Sequence, residues 1–230
     1  MSNIKEEILR YLAEYPPAYQ VFEMLLQAGD VYVMGGLLRE YCDNGRINDL
    51  RDADFCVDIK RPEIWTNLLE TIPYTLNRFN GYKFVCSKFI IDVWNVKETW
   101  AFKEQKVLAN EKNYFNKLPD TVFLNMDALV YDLKKDIWND YIYKEAMKSR
   151  VLDIVLEENP FIELNIIRAM VLREKYNMSY SKKLANIICE YGQMDNFTVE
   201  AMAIQKKRYG YYVVDKKIIE EEIEAARKQS

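Results

Sequence analysis

The chain has 230 residues, 50% of them hydrophobic and 30% charged, with a formal net charge of −4, which describes a protein able to bury a core and without a broad basic surface. It contains no histidine, so no Ser-His-Asp or Cys-His arrangement, no histidine metal ligand and no histidine-based phosphohydrolase site can be built from it. No GxxxxGK[ST] stretch is present, which removes a P-loop ATPase, and Cys42, Cys56, Cys86 and Cys189 are too scattered for a zinc ribbon.

The N-terminal stripe Ile4, Ile8, Leu9 and Leu12 predicts a helix that ends at Pro16-Pro17, and Val21, Met24 and Leu25 predict a second before Gly29-Asp30. Residues 31–34 and 52–59 read as strands, with Leu37–Tyr41 as a short helix and Asp43–Arg51 as a polar loop between them. Pro62–Leu69 reads as a helix. Asn80-Gly81 is a hairpin signal between Tyr74–Arg78 and Tyr82–Cys86, followed by a strand through Asp92. Thr99–Asn110 is expected to be helical, and Leu129–Tyr131 and Ile137–Tyr143 to be strands turning at Lys134-Lys135. From about residue 145 the patterning is helical, over Val151–Leu156, Phe161–Lys175, Lys182–Tyr191, Thr198–Arg208 and Lys217–Lys228. The fold class that follows is α+β: a small mixed or antiparallel sheet with N-terminal helices over 1–145, then an all-helical lobe over 146–230. The charged start and the lack of any run of about 18 apolar residues predict neither signal peptide nor membrane span, and the chain is expected in the cytoplasm.

The chemistry concentrates around two glycines and three acids. Gly35-Gly36 follows the apolar run Val31-Tyr32-Val33-Met34. A strand ending in glycines lets backbone approach phosphate oxygens, and a helix start behind it presents N–H groups and a positive partial charge to them. Arg39 adds a cation one helical turn along. In Asp52-Ala53-Asp54 the strand repeat puts both carboxylates on one face, roughly 6–7 Å apart. Two such carboxylates can ligate divalent ions for phosphoryl or nucleotidyl transfer, which also calls for a third acid. Asp92, which interrupts the apolar run Phe89-Ile90-Ile91-Asp92-Val93-Trp94, is the candidate; a buried hydrogen bond or salt bridge would equally account for an acid there.

The order and spacing of these residues resemble the polymerase-β-type nucleotidyltransferases, in particular the head and neck of the CCA-adding tRNA nucleotidyltransferases and bacterial poly(A) polymerases. That family carries GGxVRD, a DxD strand and a third carboxylate on a neighbouring strand, matched here by Gly35, Gly36 and Arg39 with Glu40 in place of Asp, then Asp52 and Asp54, then Asp92. Asp127-Ala128-Leu129-Val130-Tyr131-Asp132 resembles its NALAYD segment, and Arg168-Ala169 the RA of its neck helix. The resemblance implies an NTP substrate held at Gly35, Gly36, Arg39 and Arg168. It also implies two Mg2+ ions (or Mn2+) on Asp52, Asp54 and Asp92, and transfer of a nucleotidyl group to a hydroxyl such as an RNA or tRNA 3′ end.

The departures are specific. Thr121-Val122-Phe123-Leu124-Asn125 stands where the family has RRDFT before its NA, so the arginines that family members use near the triphosphate are missing, and Glu158-Asn159-Pro160-Phe161-Ile162 keeps only the first residue of the base-reading EDxxR motif. The C-then-A specificity is therefore not expected. Two classes of function remain: a transferase acting on RNA, a small molecule or a protein, and a catalytically silent nucleotide- or RNA-binding module. Arg168, Arg173 and Lys175 either line the nucleotide cleft or occupy the polar face of a helix. Lys206-Lys207-Arg208-Tyr209-Gly210-Tyr211-Tyr212, with Lys216-Lys217, is either an RNA contact or a solvated helix end packing its tyrosines inward.

Overall fold

A computed structural model describes residues 3–48, 50–77 and 79–230. The chain forms two compact units, one of residues 1–121 and 127–140, the other of residues 122–126 and 141–230.

In the first unit, α1 (Ile4–Ala13) starts with a capping box in which Asn3 and Glu6 exchange hydrogen bonds, and it buries Ile4, Ile8, Tyr11 and Leu12. α2 (Pro16–Ala28) begins with proline, whose missing N–H costs nothing at a helix start, and buries Val21, Phe22, Leu25 and Ala28. β1 (Gly29–Met34) follows without a loop. Its first residue has to be glycine, because a Cβ there would sit 2.1 Å from the Asp58 carbonyl oxygen. Then come α3 (Gly36–Asn44), β2 (Asp52–Ile59), α4 (Pro62–Thr71), β3 (Thr75–Leu76), β4 (Tyr82–Cys86) and β5 (Phe89–Asn95). After the short helices α5 (Trp100–Lys103) and α6 (Tyr114–Lys117), β6 (Val130–Asp132) and β7 (Ile137–Asn139) complete a seven-stranded sheet in the order β3-β4-β5-β2-β1-β6-β7. Every neighbouring pair is antiparallel except β2 and β5, which run parallel.

Alternation along the strands divides this sheet into two faces. Val31, Val33, Ala53, Phe55, Val57, Phe84, Ile91 and Val93 are buried on one of them, where Phe22 of α2 lies 5.4 Å from Phe55. On the other, Tyr32, Cys56 and Val130 join Val96, Tyr114 and Leu118 in a smaller core. The acids of β2 belong to this second face.

The second unit contains α7 (Tyr141–Ser149), β8 (Val151–Leu152), α8 (Ile162–Tyr176), β9 (Ser179–Tyr180), α9 (Lys182–Gly192), α10 (Phe197–Tyr209) and α11 (Lys216–Arg227). Residues 122–126 are tied into it by Asn125 N–H to the Asp153 carbonyl and Val155 N–H to the Phe123 carbonyl. Ser181 and Asp215 cap α9 and α11. Inside, the carboxylate of Glu222 accepts from both Arg173, at 2.5 Å, and the Tyr180 hydroxyl. No helix among the described residues is long and apolar enough to cross a membrane.

Several expected elements differ. Thr99–Asn110 is not one helix: α5 stops at Lys103, and Gln105 takes a positive φ of 53° that turns the chain away. The strand expected over Ile137–Tyr143 ends at Asn139, and α7 begins two residues later, because β7 is an edge strand with only β6 to pair with. Val151–Leu156 is extended rather than helical, since its backbone pairs with 122–124 and with β9. α3 continues to Asn44, three residues beyond the expected end, and stops at Gly45 in the left-handed region. The hairpin at Asn80-Gly81 forms with a shorter first arm, β3; Arg78 lies outside the described residues.

Candidate active site

β1 ends at Met34, and its antiparallel register sets Met34 opposite Asp54. Gly35 then turns the chain with φ +71°, a conformation L side chains rarely adopt, and a Cβ on it would lie 3.1 Å from Asp54 Oδ2. The glycine turn therefore lies directly against the second carboxylate of Asp52-Ala53-Asp54. Gly36 opens α3, whose N-terminus carries no side-chain cap, so its first N–H groups are not satisfied by a capping side chain. The Arg39 guanidinium folds back over that turn, 3.9 Å from where a Gly36 Cβ would be, and pairs with Asp127. Asp127, which the sequence offered only as part of a family-like segment, is thus the residue that orients Arg39. Both side chains are largely buried. Glu40, standing where the resembling family has Asp, points elsewhere and accepts from Asn44 at 2.8 Å.

The parallel pairing of β2 and β5 puts Asp54 opposite Asp92 and Asp52 opposite Ile90, so all three acids share the second face of the sheet, Asp54 and Asp92 side by side. Asp92 is only 4% exposed, and its Oδ1 accepts from Asn77 Nδ2 at 3.2 Å. Asp52 is more open and pairs with Arg51 at 3.3 Å. Next along the strand, burial first and the charge of Asp54 second push the Cys56 thiol up, which makes this cysteine a packing residue and not a thiolate nucleophile. As donor chemistry, three carboxylates on one face suit hard divalent cations. Among the described residues no three acids or cysteines are gathered closely enough to hold a metal ion as they stand; what the structure sets side by side is the Asp54–Asp92 pair.

Arg168 lies on α8 of the second unit, half-buried. Arg173, offered with it as lining a cleft, is instead held by Glu222 and lies 5.1 Å over the Tyr180 ring. Asn159 is spent on the start of α8, its Oδ1 accepting from the Phe161 N–H and from Asn165. Tyr211 and Tyr212 are 60% and 52% exposed, so these two do not pack inward; Lys206 lies 5.7 Å over the Tyr212 ring. The neighbours of the site not singled out from the sequence are Asn77 and Lys83, the last facing Asp92 across β4 and β5. Only strand register would have found Lys83.

No protein-family description and no curated relative matches the sequence. Solved structures do match its fold. The Thermotoga maritima CCA-adding enzyme complexed with tRNA superposes with a TM-score of 0.59 at 16% identity, covering 96% of this chain and 54% of that one. A CCA-adding enzyme with CTP gives 0.57 at 15% identity, over 95% and 53%, and one with ATP gives 0.50 at 18% identity, over 87% and 54%. The chain thus spans about half the length of these enzymes. Its mostly antiparallel seven-stranded sheet and helical C-terminal part are similar in fold to the matched parts of these CCA-adding enzymes.

Proposed function

We propose that the chain is a metal-dependent nucleotidyltransferase that moves a nucleoside monophosphate from an NTP to a hydroxyl acceptor. The observation that carries this reading is the junction of the glycine turn with the acid row: Gly35 abuts Asp54, Asp54 faces Asp92, and Arg39 covers the start of α3. The first N–H groups of α3 and the Arg39 guanidinium would bind triphosphate oxygens. Asp52, Asp54 and Asp92 would hold two Mg2+ ions, or Mn2+, which when bound supply charge neutralisation at the phosphates and a more acidic acceptor hydroxyl. In the transfer itself the acceptor oxygen bonds to the α-phosphorus, and the bond from that phosphorus to the bridging oxygen breaks. Pyrophosphate leaves with the electron pair, and the hydroxyl proton passes to the Asp92 carboxylate. CTP, ATP and tRNA are partners of the similar enzymes; from them this chain takes the NTP class, with the acceptor being an RNA, a small hydroxyl compound or a protein side chain.

A second reading, a catalytically silent nucleotide-binding module, is favoured by one observation: Arg39 is already paired with Asp127. Calorimetry and label transfer separate the two. Wild type should bind an NTP more tightly with Mg2+ than without and transfer label from an α-labelled NTP to a fraction of cell extract, while Asp52→Asn with Asp54→Asn should do neither. Metal-dependent binding without transfer under any acceptor fraction supports the silent module. Identical NTP affinity with and without metal, in wild type and double variant alike, rejects the enzyme.

A further inference from the structure

The acid row has a cation at its far end. β4 runs antiparallel to β5 so that Lys83 faces Asp92, Asp92 faces Asp54, Asp54 faces Met34, and Gly35 follows. Residues directly opposite in adjacent strands project from the same face, their Cβ atoms about 4.5–5.5 Å apart. Lys83 therefore belongs to the carboxylate face, one strand spacing (about 5 Å) beyond Asp92 and about 10 Å beyond Asp54. The glycine turn lies on the opposite flank. Lys83 is half-buried, and among the described residues no hydrogen bond or ion pair holds its ammonium. One row along on the same face, Val85 faces Ile90 and Ile90 faces Asp52. Val85 is 65% exposed, so beside the acids lies an apolar shelf with a cation at its edge.

If the triphosphate occupies the glycine side, as the proposed function has it, the flank bearing Lys83, Val85 and Ile90 is where the acceptor enters. The charge there discriminates among acceptors. An ammonium repels a cationic small molecule, gains little from a neutral hydroxyl, and attracts a phosphodiester, while an apolar shelf next to it accepts the face of a sugar or base. We propose that Lys83 binds a backbone phosphate of a single-stranded RNA acceptor, adjoining the nucleotide that carries the reacting 3′-hydroxyl, and that Val85 and Ile90 support that terminal nucleotide. Lys83 is then a binding residue of the acceptor subsite, opposite in flank and in partner to Arg39.

The test measures anisotropy of a 5′-fluorescein RNA octamer with a free 3′-hydroxyl, in Mg2+ and a non-hydrolysable NTP analogue, across a KCl series. Calorimetry of the analogue alone runs in parallel. Lys83→Gln should bind the octamer about tenfold more weakly and lower the slope of log affinity against log salt by about 0.7, the value for one lost single-strand phosphate contact. Lys83→Arg should keep the slope. Val85→Glu, at a position 65% exposed, should also weaken the octamer about tenfold. None of the three should change analogue affinity by more than about twofold, because the analogue binds on the other flank. The proposal is overturned by an unchanged slope in Lys83→Gln, by an equal loss of analogue and octamer, or by a wild type that binds the analogue and not the octamer. A wild type that fails to bind the analogue at all rejects the transferase reading itself, and this inference with it.

Discussion

On one face of the sheet, Asp30, Asp58 and Asp132 gather at one end of β1, β2 and β6, while Asp52, Asp54 and Asp92 gather at the other end, on β2 and β5. At the first end each acid has a lysine or backbone amides beside it. Asp58, 3% exposed, pairs with Lys60 at 2.6 Å, Asp30 pairs with Lys134 at 2.6 Å, and Asp132 accepts the Lys134 and Lys135 amides at 2.9 Å each to close the turn between β6 and β7. At the second end the acids are brought together by register, beside a positive-φ glycine turn and an uncapped helix start. Identical side chains thus do two jobs on one surface. Asp132 closes a turn and stabilises the sheet, and Asp30 and Asp58, register partners, each carry a lysine; Asp54 and Asp92, aligned across β2 and β5, crowd like charges together, which costs stability and suits a site that binds cations.

The sharpest break between the two ends should come from Asp54→Asn and Asp92→Asn. Each is expected to lower label transfer by about a thousandfold or more while the urea midpoint stays unchanged or rises. A loss of stability equal to that of the turn acids would erase the distinction. Next in size is Gly35→Ala. The methyl group would be forced into positive φ and against the Asp54 carboxylate, so transfer should fall about a hundredfold through displacement of that group, with about 1–2 kcal/mol of destabilisation read from urea unfolding.

At the other end the order of effects reverses. Asp132→Ala leaves two turn amides without their acceptor and should cost about 1–3 kcal/mol in chemical denaturation, with transfer per folded molecule unchanged. The smallest effect concerns Tyr32, which faces Asp132 and is buried. Burial first, then the charges of Asp132, Asp58 and Asp30, push its hydroxyl above the usual tyrosine range. A group whose folded pKa is raised contributes stability that is complete below its unfolded value, about 10, and is lost as pH rises beyond it. Urea midpoints should therefore decline between about pH 10 and 11, and Tyr32→Phe should show a shallower decline. An equal slope in both proteins would show that the acids at this end do not act on Tyr32.

Much of this arrangement can be read from local pattern. Proline and asparagine at helix starts, the period of apolar residues in α1, α2, α8, α9, α10 and α11, and the run of β2 over Asp52–Ile59 are near-neighbour effects, and the structure has them where the sequence places them. Gly35-Gly36 and the Asp52–Asp54 spacing are local too, which is why the turn and the two carboxylates are visible before folding. Errors fall where a distant partner decides. Residues 151–156 carry helical patterning and become extended because 122–124 and β9 offer backbone partners, and Thr99–Asn110 gives way to turns.

The amino-acid sequence by itself determined the element types, the glycine turn and which acids could share a face, since these depend on residues within a turn or a strand of one another. Only the tertiary structure decided the parallel pairing of β2 with β5, and with it the meeting of Asp54 with Asp92, the pairing of Arg39 with Asp127 across 88 residues, and the place of Lys83 at the end of the row. Register between strands far apart in the chain is set by packing the whole apolar face at once, and a shift of one residue would send the side chains of the shifted strand to the opposite face.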